Sequence, residues 1–275
     1  PNNVFDDDPN KTTFKDGNLF VGKDIEKKKI EDIIDVSKDR IETILIKNSV
    51  TEIGNNAFRG CSRLSSVSIP ESVVQIGENA FAECSSLTSV HIDNVEAWCC
   101  IDFSNSSANP LSYAKDLYLD GKFVTEVTIP GTVAKIEEYA FYGCSSLIGV
   151  TILDGVKEIG ENAFQYCRSI SKISVPESVS EIGVSAFAGC SNLAVVNIPK
   201  ALQAIKDNTF SNCASLTSII LPKKLDEIGN SAFDGCSRLT SVTIPENVTK
   251  IGEKAFQYCS SIPSVIIPKK VASIG

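Results

Sequence analysis

"SVTIPENVTKIGEKAFQYCSS", residues 241–261, repeats almost letter for letter "SVSIPESVVQIGENAFAECSS", residues 66–86. The shared frame is S-V-x-I-P-E-x-V-x-x-I-G-E-x-A-F-x-x-C-S-S. Outward from these two copies, the same Phe recurs at Phe58, Phe81, Phe141, Phe164, Phe187, Phe210, Phe233 and Phe256, each followed three residues later by a Cys. Successive copies lie 23 residues apart, except for one interval of 60 between Cys84 and Cys144. Since 60 is 23 plus 37, that interval reads as one regular coil and one coil enlarged by 14 residues. Self-similarity at a fixed short period is the signature of a solenoid.

Within one copy, V-x-I alternates as a strand with one buried face does. The following Pro removes a backbone donor and ends the strand. Ile251, Ala255 and Cys259 then sit four apart, which predicts a short helix with one inward face. Gly252 permits a tight turn or close packing. Each coil therefore reads as strand, turn, short helix. One such coil cannot bury enough apolar surface to offset the ordering of its own backbone, so neighbours must stack and pair. Strand centres fall at Ile44, Val67, Val90, Val127, Val150, Ile173, Val196, Ile219, Val242 and Val265. Ten parallel strands at ~4.8 Å predict a sheet about 45 Å across.

The pattern L-x-x-V-x-I-P-x-x-V-x-x-I-G-x-x-A-F-x-x-C resembles the leucine-rich repeat, and specifically the branch found in BspA-like surface proteins. "LTSVTIPENVTKIGEKAFQYC" (residues 239–259) and its copies carry the resemblance, which covers residues 41–275. It implies an α/β repeat solenoid: right-handed, with a parallel β-sheet on the concave face and short helical or turn segments on the convex face. It also implies a non-catalytic protein that is secreted or held at the cell surface. Its work would be adhesion, binding a protein or glycoprotein such as host extracellular-matrix or cell-surface glycoproteins.

Composition narrows the classes. The chain is 43% apolar and 22% charged, as folded domains are. Its net charge of −8 argues against a nucleic-acid partner, which calls for a basic footprint. No run of 18 apolar residues offers a membrane span. The sequence lacks Met, opens "PNNVFDDDPNK" without the pattern of a signal peptide, and stops at "VASIG" inside the repeated phrase. It reads as a piece of a longer protein, truncated at its C-terminus and monomeric.

Two stretches depart from the repeat. Residues 1–40 read as an N-terminal cap or a divergent repeat, with "FKDGNLFV" as a hairpin turning at Asp16-Gly17 or Gly17-Asn18 and "IEDIIDV" as helix-like. The enlarged coil carries an insertion at residues 93–122 with "LYLDGKFV" as a second hairpin turning at Asp120-Gly121. It supplies Trp98, the sole Trp, together with Phe103, Tyr113, Tyr118 and Phe123. These aromatics form either a small satellite core or a binding ridge, and Trp98, Tyr113 and Tyr118 are its candidate contact residues.

Chemistry-bearing motifs are sparse. Eight of the ten Cys occupy one column of the repeat, where a small buried hydrophobe suffices. Their 23-residue spacing makes a line, not the converging C-x-x-C set that zinc needs, so no metal site is expected. Cys99-Cys100 stands apart and leaves a thiol enzyme as the weakest reading. His91 is the only His and projects from a strand, with Asp93 on the same face but no nucleophile specified. There is no carboxylate dyad, no phosphate-binding glycine pattern, no catalytic residue and no cofactor motif. Asn10, Asn105 and Asn247 head glycan sequons that matter only in a eukaryotic secretory route.

What remains is surface. The outward positions of the strands are rich in hydroxyls and poor in charge, which suits either a plain solvated sheet or a hydrogen-bonding platform. Thr88, His91, Thr128, Thr151, Lys172, Ser174, Asn197 and Thr243 are the candidate contact residues of that face. Lys200, Lys223, Lys224, Lys269 and Lys270 line one edge as a solvated strip or a weak anion-binding one. The rival to adhesion is a structural spacer that presents another domain.

Overall fold

In the computed structural model, described over residues 10–22 and 38–275, neighbouring coils within a unit bond along up to three separate legs. The chain forms two compact units, Pro1–Val124 and Thr125–Gly275. Helix is scarce and parallel pairing dominates.

The first unit holds a seven-stranded sheet: β1 (Thr13–Lys15), β2 (Asn18–Val21), β3 (Thr43–Ile46), β4 (Ser66–Ile69), β5 (Ser89–Ile92), β6 (Asp116–Leu119) and β7 (Lys122–Phe123), in that spatial order. The inner five strands are parallel, with Leu19, Ile44, Val67, Val90 and Leu117 in one inward row. Both edge strands are antiparallel, each folded back through a two-residue turn. At those turns Asp16 and Gly17 have φ of 50° and 82°, and Asp120 and Gly121 have 48° and 73°. Two successive positive φ values make the tight hairpin whose twist suits flanking strands. The helix-like segment "IEDIIDV" lies outside the described residues.

The irregular stretch divides differently from one coil enlarged by 14 residues. Leu117 pairs with Val90, which closes a coil of 117 − 90 = 27 residues. The β6–β7 hairpin follows, and the second unit then opens a new sheet. Inside that coil, helix α1 (Val95–Cys99) starts at Asn94, whose side chain accepts from Ala97 N–H at 2.8 Å. A second helix, α2 (Leu111–Ala114), ends at Lys115 in the left-handed region.

The second unit carries β8 (Glu126–Ile129), β9 (Gly149–Ile152), β10 (Lys172–Ser174) and β11 (Val195–Val196) in register. Beyond β11 the ladder stops, and among the described residues only a Ser218–Ser241 bridge continues it. Ile219, Val242 and Val265 therefore do not sit in extended strands, and the expected ten-strand sheet is replaced by a sheet in each unit. The change begins at Asn197, whose side-chain amide takes over both the N–H and the C=O of Val175. A peptide-like side chain has replaced the neighbouring backbone as partner.

The expected short helix is absent, and the reason is the direction of its N–H groups. Around Ala57-Phe58, the N–H groups of Asn56, Phe58 and Gly60 donate to Glu78, Ala80 and Ala82 of the next coil, each at 2.8 Å. The intervening Ala57 and Arg59 donate three residues back within their own coil, to Gly54 and Asn56, as does Cys61, to Phe58. This alternation requires left-handed residues on either side of the Phe: Asn56 and Gly60, Asn162 and Tyr166, Asn208 and Asn212. A left-handed residue twice in five breaks any α-helix. The third leg is a ladder of two-residue strands such as Glu158–Ile159 on Glu181–Ile182. The Gly that follows the Ile in most coils serves close approach, since a Cβ on Gly183 would lie 2.6 Å from Glu161 N.

Two columns of the core are distinctive. The Phe rings stack from Phe141 to Phe256 in the second unit, with neighbouring centroids 5.2–5.7 Å apart. The Cys column has a specific reason to be Cys. The thiols of Cys84, Cys167, Cys190, Cys213, Cys236 and Cys259 each donate to the carbonyl of the Phe in the preceding coil, at 3.3 Å for Cys84, 3.0 Å for Cys167 and 3.1 Å for Cys190. Leu in this slot would fill space without that bond. Burial pushes the thiols of Cys84 and Cys190 up to about 12.

Two outcomes follow. Of ten thiols, only Cys100 is exposed, so a thiol reagent at pH 8 is expected to titrate one equivalent in the native protein and ten in denaturant. Phe187 is buried between Phe164 and Phe210, so Phe187→Ala is expected to cost about 3–5 kcal/mol in urea unfolding. Truncating the exposed Val195 to Ala should cost less than ~1 kcal/mol.

Candidate functional site

The outward positions of the two sheets hold the candidate contact residues, and register decides which of them meet. In the second unit, Glu126, Gly149 and Lys172 are cross-strand neighbours in one outward row, and Thr128, Thr151 and Ser174 in the next. Glycine in the middle of the first row leaves a hollow of about 460 Å³ over β9, bounded by both rows and by Ser171 and Ile148, which is 49% exposed. Glu126 leans over Gly149, where an added Cβ would meet its Cγ at an ordinary 3.5 Å. The strands carrying Glu126 and Lys172 are two spacings apart, about 9.6 Å. Neither residue forms an ion pair among the described residues. Four of the expected residues, Thr128, Thr151, Lys172 and Ser174, thus come together. Glu126 and Gly149 were not singled out; the available signal was a glycine at an outward strand position where other coils carry a side chain.

In the first unit the register brings His91 beside Tyr118. Their rings stack with centroids 4.6 Å apart and planes 24° apart, and Phe123, 51% exposed, leans on the far side of Tyr118 at 5.5 Å. The loss of water around the half-buried imidazole lowers the pKa of His91 from its ordinary 6.5.

Other expected residues fall elsewhere. Trp98 is 1% exposed and packs on Phe103 at 5.2 Å, so it is core and not ridge. An indole on the inner side of α1 has nowhere to go but the coil interior. Tyr113 stands on α2, half-buried, with its hydroxyl 3.4 Å from Ser107 Oγ. The exposed Thr88 spends its hydroxyl on Ser65 C=O of the preceding coil, at 3.0 Å. Asn197 is committed to Val175 as described. Thr243 lies apart from the other residues, on an apolar hollow of about 470 Å³ with Ile220 and Pro245.

The repeat itself identifies the lineage. The BspA type leucine rich repeat region matches in six copies, across residues 29–110, 113–213 and 186–275. The chain belongs to this family. No curated protein matches the chain. Among solved structures, this BspA-type repeat is similar to a leucine-rich-repeat protein of Eubacterium ventriosum, 20% identical over 94% of this chain and 89% of that one, with a TM-score of 0.50. That likeness supports the leucine-rich-repeat fold. A leucine rich cell surface protein of Faecalibacterium prausnitzii is 26% identical over 82% of this chain and 78% of that one, with a TM-score of 0.49. A leucine rich repeat protein of T. pallidum is 24% identical over 86% of this chain and 90% of that one, with a TM-score of 0.44. No helix among the described residues is long and apolar enough to cross a membrane.

Because His91 is the only His, one imidazole resonance reports its titration. Its midpoint is expected below 6.5 and should move up toward that value in Tyr118→Ala, which readmits water. The sign for stability follows. The unfolded chain takes up this proton first, so the contribution is complete above about 6.5 and is lost as pH falls through that value toward the folded pKa.

Proposed function

We propose that this protein is a non-catalytic binding protein of an outer cell surface that holds a polypeptide or glycoprotein partner against the outer face of β8, β9 and β10. The hollow over Gly149 carries this reading. Four of the candidate contact residues, Thr128, Thr151, Lys172 and Ser174, converge there, and it offers hydroxyls and two charges that form no ion pair among the described residues. A partner that lies there meets donors and acceptors already held by the ladder beneath, so little ordering opposes binding. A cell-surface setting and an adhesive role are what the BspA-type resemblance implies for such a scaffold.

The test is binding to a panel of immobilised extracellular-matrix and plasma glycoproteins. Gly149→Leu fills the hollow without a backbone clash, since its Cβ position is open to ordinary contact. Saturable binding by the native protein is expected, weakened at least tenfold in Gly149→Leu and kept in Tyr118→Ser. Loss in Tyr118→Ser alone would move the site to the His91 face of the first unit. Binding by neither protein would overturn the reading in favour of a spacer.

A further inference from the structure

The hollow over Gly149 is bipolar. Lys172 on one wall and Glu126 on the other are exposed, opposite in charge, and kept from pairing by the glycine strand between them. Elsewhere, opposite charges on adjacent coils do meet: Lys250 with Glu227 at 2.6 Å, Arg59 with Glu83 at 2.7 Å, and Lys135 with Glu158 at 3.6 Å. Glu126 and Lys172 are one coil too far apart for this. The two charges are therefore left for a ligand to satisfy.

Resting on the binding role just proposed, we infer that the partner's contact segment is an extended polypeptide with one basic and one acidic side chain two residues apart. The base sits against Glu126 and the acid against Lys172. In extended chain, side chains at i and i+2 share a face about 6.6 Å apart. Side chains of Arg and Asp lengths bridge from that spacing to walls set about 9.6 Å apart at their strands. Gly149 gives both tips room to descend, and Thr128, Thr151 and Ser174 lie alongside for the segment's carbonyl and amide groups. Among the described residues no aromatic ring lines the hollow, so the stacking surface that a sugar ring favours is missing, and a peptide is the better fit. Either chain direction satisfies both charges, so Arg-x-Asp and Asp-x-Arg are expected to bind alike.

The probes are four fluorescein-labelled synthetic pentapeptides: Ser-Arg-Ala-Asp-Ser, Ser-Arg-Ala-Arg-Ser, Ser-Asp-Ala-Asp-Ser and Ser-Gln-Ala-Asn-Ser. They are titrated with the whole protein by fluorescence anisotropy at low salt. The mixed peptide should bind roughly tenfold tighter than the neutral one, as two half-exposed ion pairs allow. Glu126→Lys should shift the preference to the diacidic peptide, and Lys172→Glu to the dibasic one. The double exchange, Glu126→Lys with Lys172→Glu, should restore preference for the mixed peptide. Equal affinity for all four peptides, or no binding by any, overturns the inference. If glycoprotein binding is lost in Gly149→Leu but unchanged by either charge reversal, the binding role stands and this account of its ligand falls. An unchanged urea transition in each variant separates these outcomes from loss of fold.

Discussion

Everything in this protein depends on the return of the backbone to register once per coil. A stack of coils has no central helix or sheet that folds first and supports the rest. Each leg of a coil is stable because the equivalent leg of its neighbour lies where its N–H and C=O groups need partners. The repeat length of 23 residues is the length at which three legs close together. Where the chain departs from it, as in the 27-residue coil, the extra residues leave in the segment that holds α1, before Asp102, while the strand register is kept. The side chains that look most characteristic in the sequence serve this closure. Gly after Ile lets backbones touch, Asn and Gly take the left-handed positions, and Cys completes the hydrogen bonding of a carbonyl in the preceding coil.

Much of this was legible. The alternation of Val and Ile marks the strands because burial on one face imposes a period of two. Gly17 and Gly121 mark the hairpins because the turn needs positive φ. The helix was misread because Ile251, Ala255 and Cys259 keep a spacing of four whether the chain between them is a helix or a run of turns. The correcting signal was present: Asn stands two before the Phe at Asn56, Asn79, Asn162 and Asn208, and Gly stands two after it at Gly60, Gly143, Gly189 and Gly235. Those are the residues that tolerate left-handed backbone.

The candidate site was legible only as a face. Alternation says that Thr128, Thr151, Lys172 and Ser174 point outward, but pairing across strands decides that they surround one hollow. The stacking of His91 on Tyr118 depends on a register set by a 27-residue coil, which no spacing rule announces. Trp98 shows the converse. A large aromatic in an irregular stretch suggests a surface ridge, yet its position on the inner side of a five-residue helix consigns it to the core.

The alternating N–H groups of the Ala-Phe turn have an electrical consequence. In an α-helix all peptide dipoles align and leave partial charges at the ends. Here the turn leg sends its donors forward, as from Phe141 to Ala163, while other legs send theirs backward, as from Gly160 to Ile136 and from Ile148 to Thr125. The contributions oppose one another coil by coil, so each stack accumulates less macrodipole than the same peptides aligned in a helix would. The ionised side chains on its outer face, Glu126 and Lys172 among them, then weigh more in the local field than they would beside a helix end.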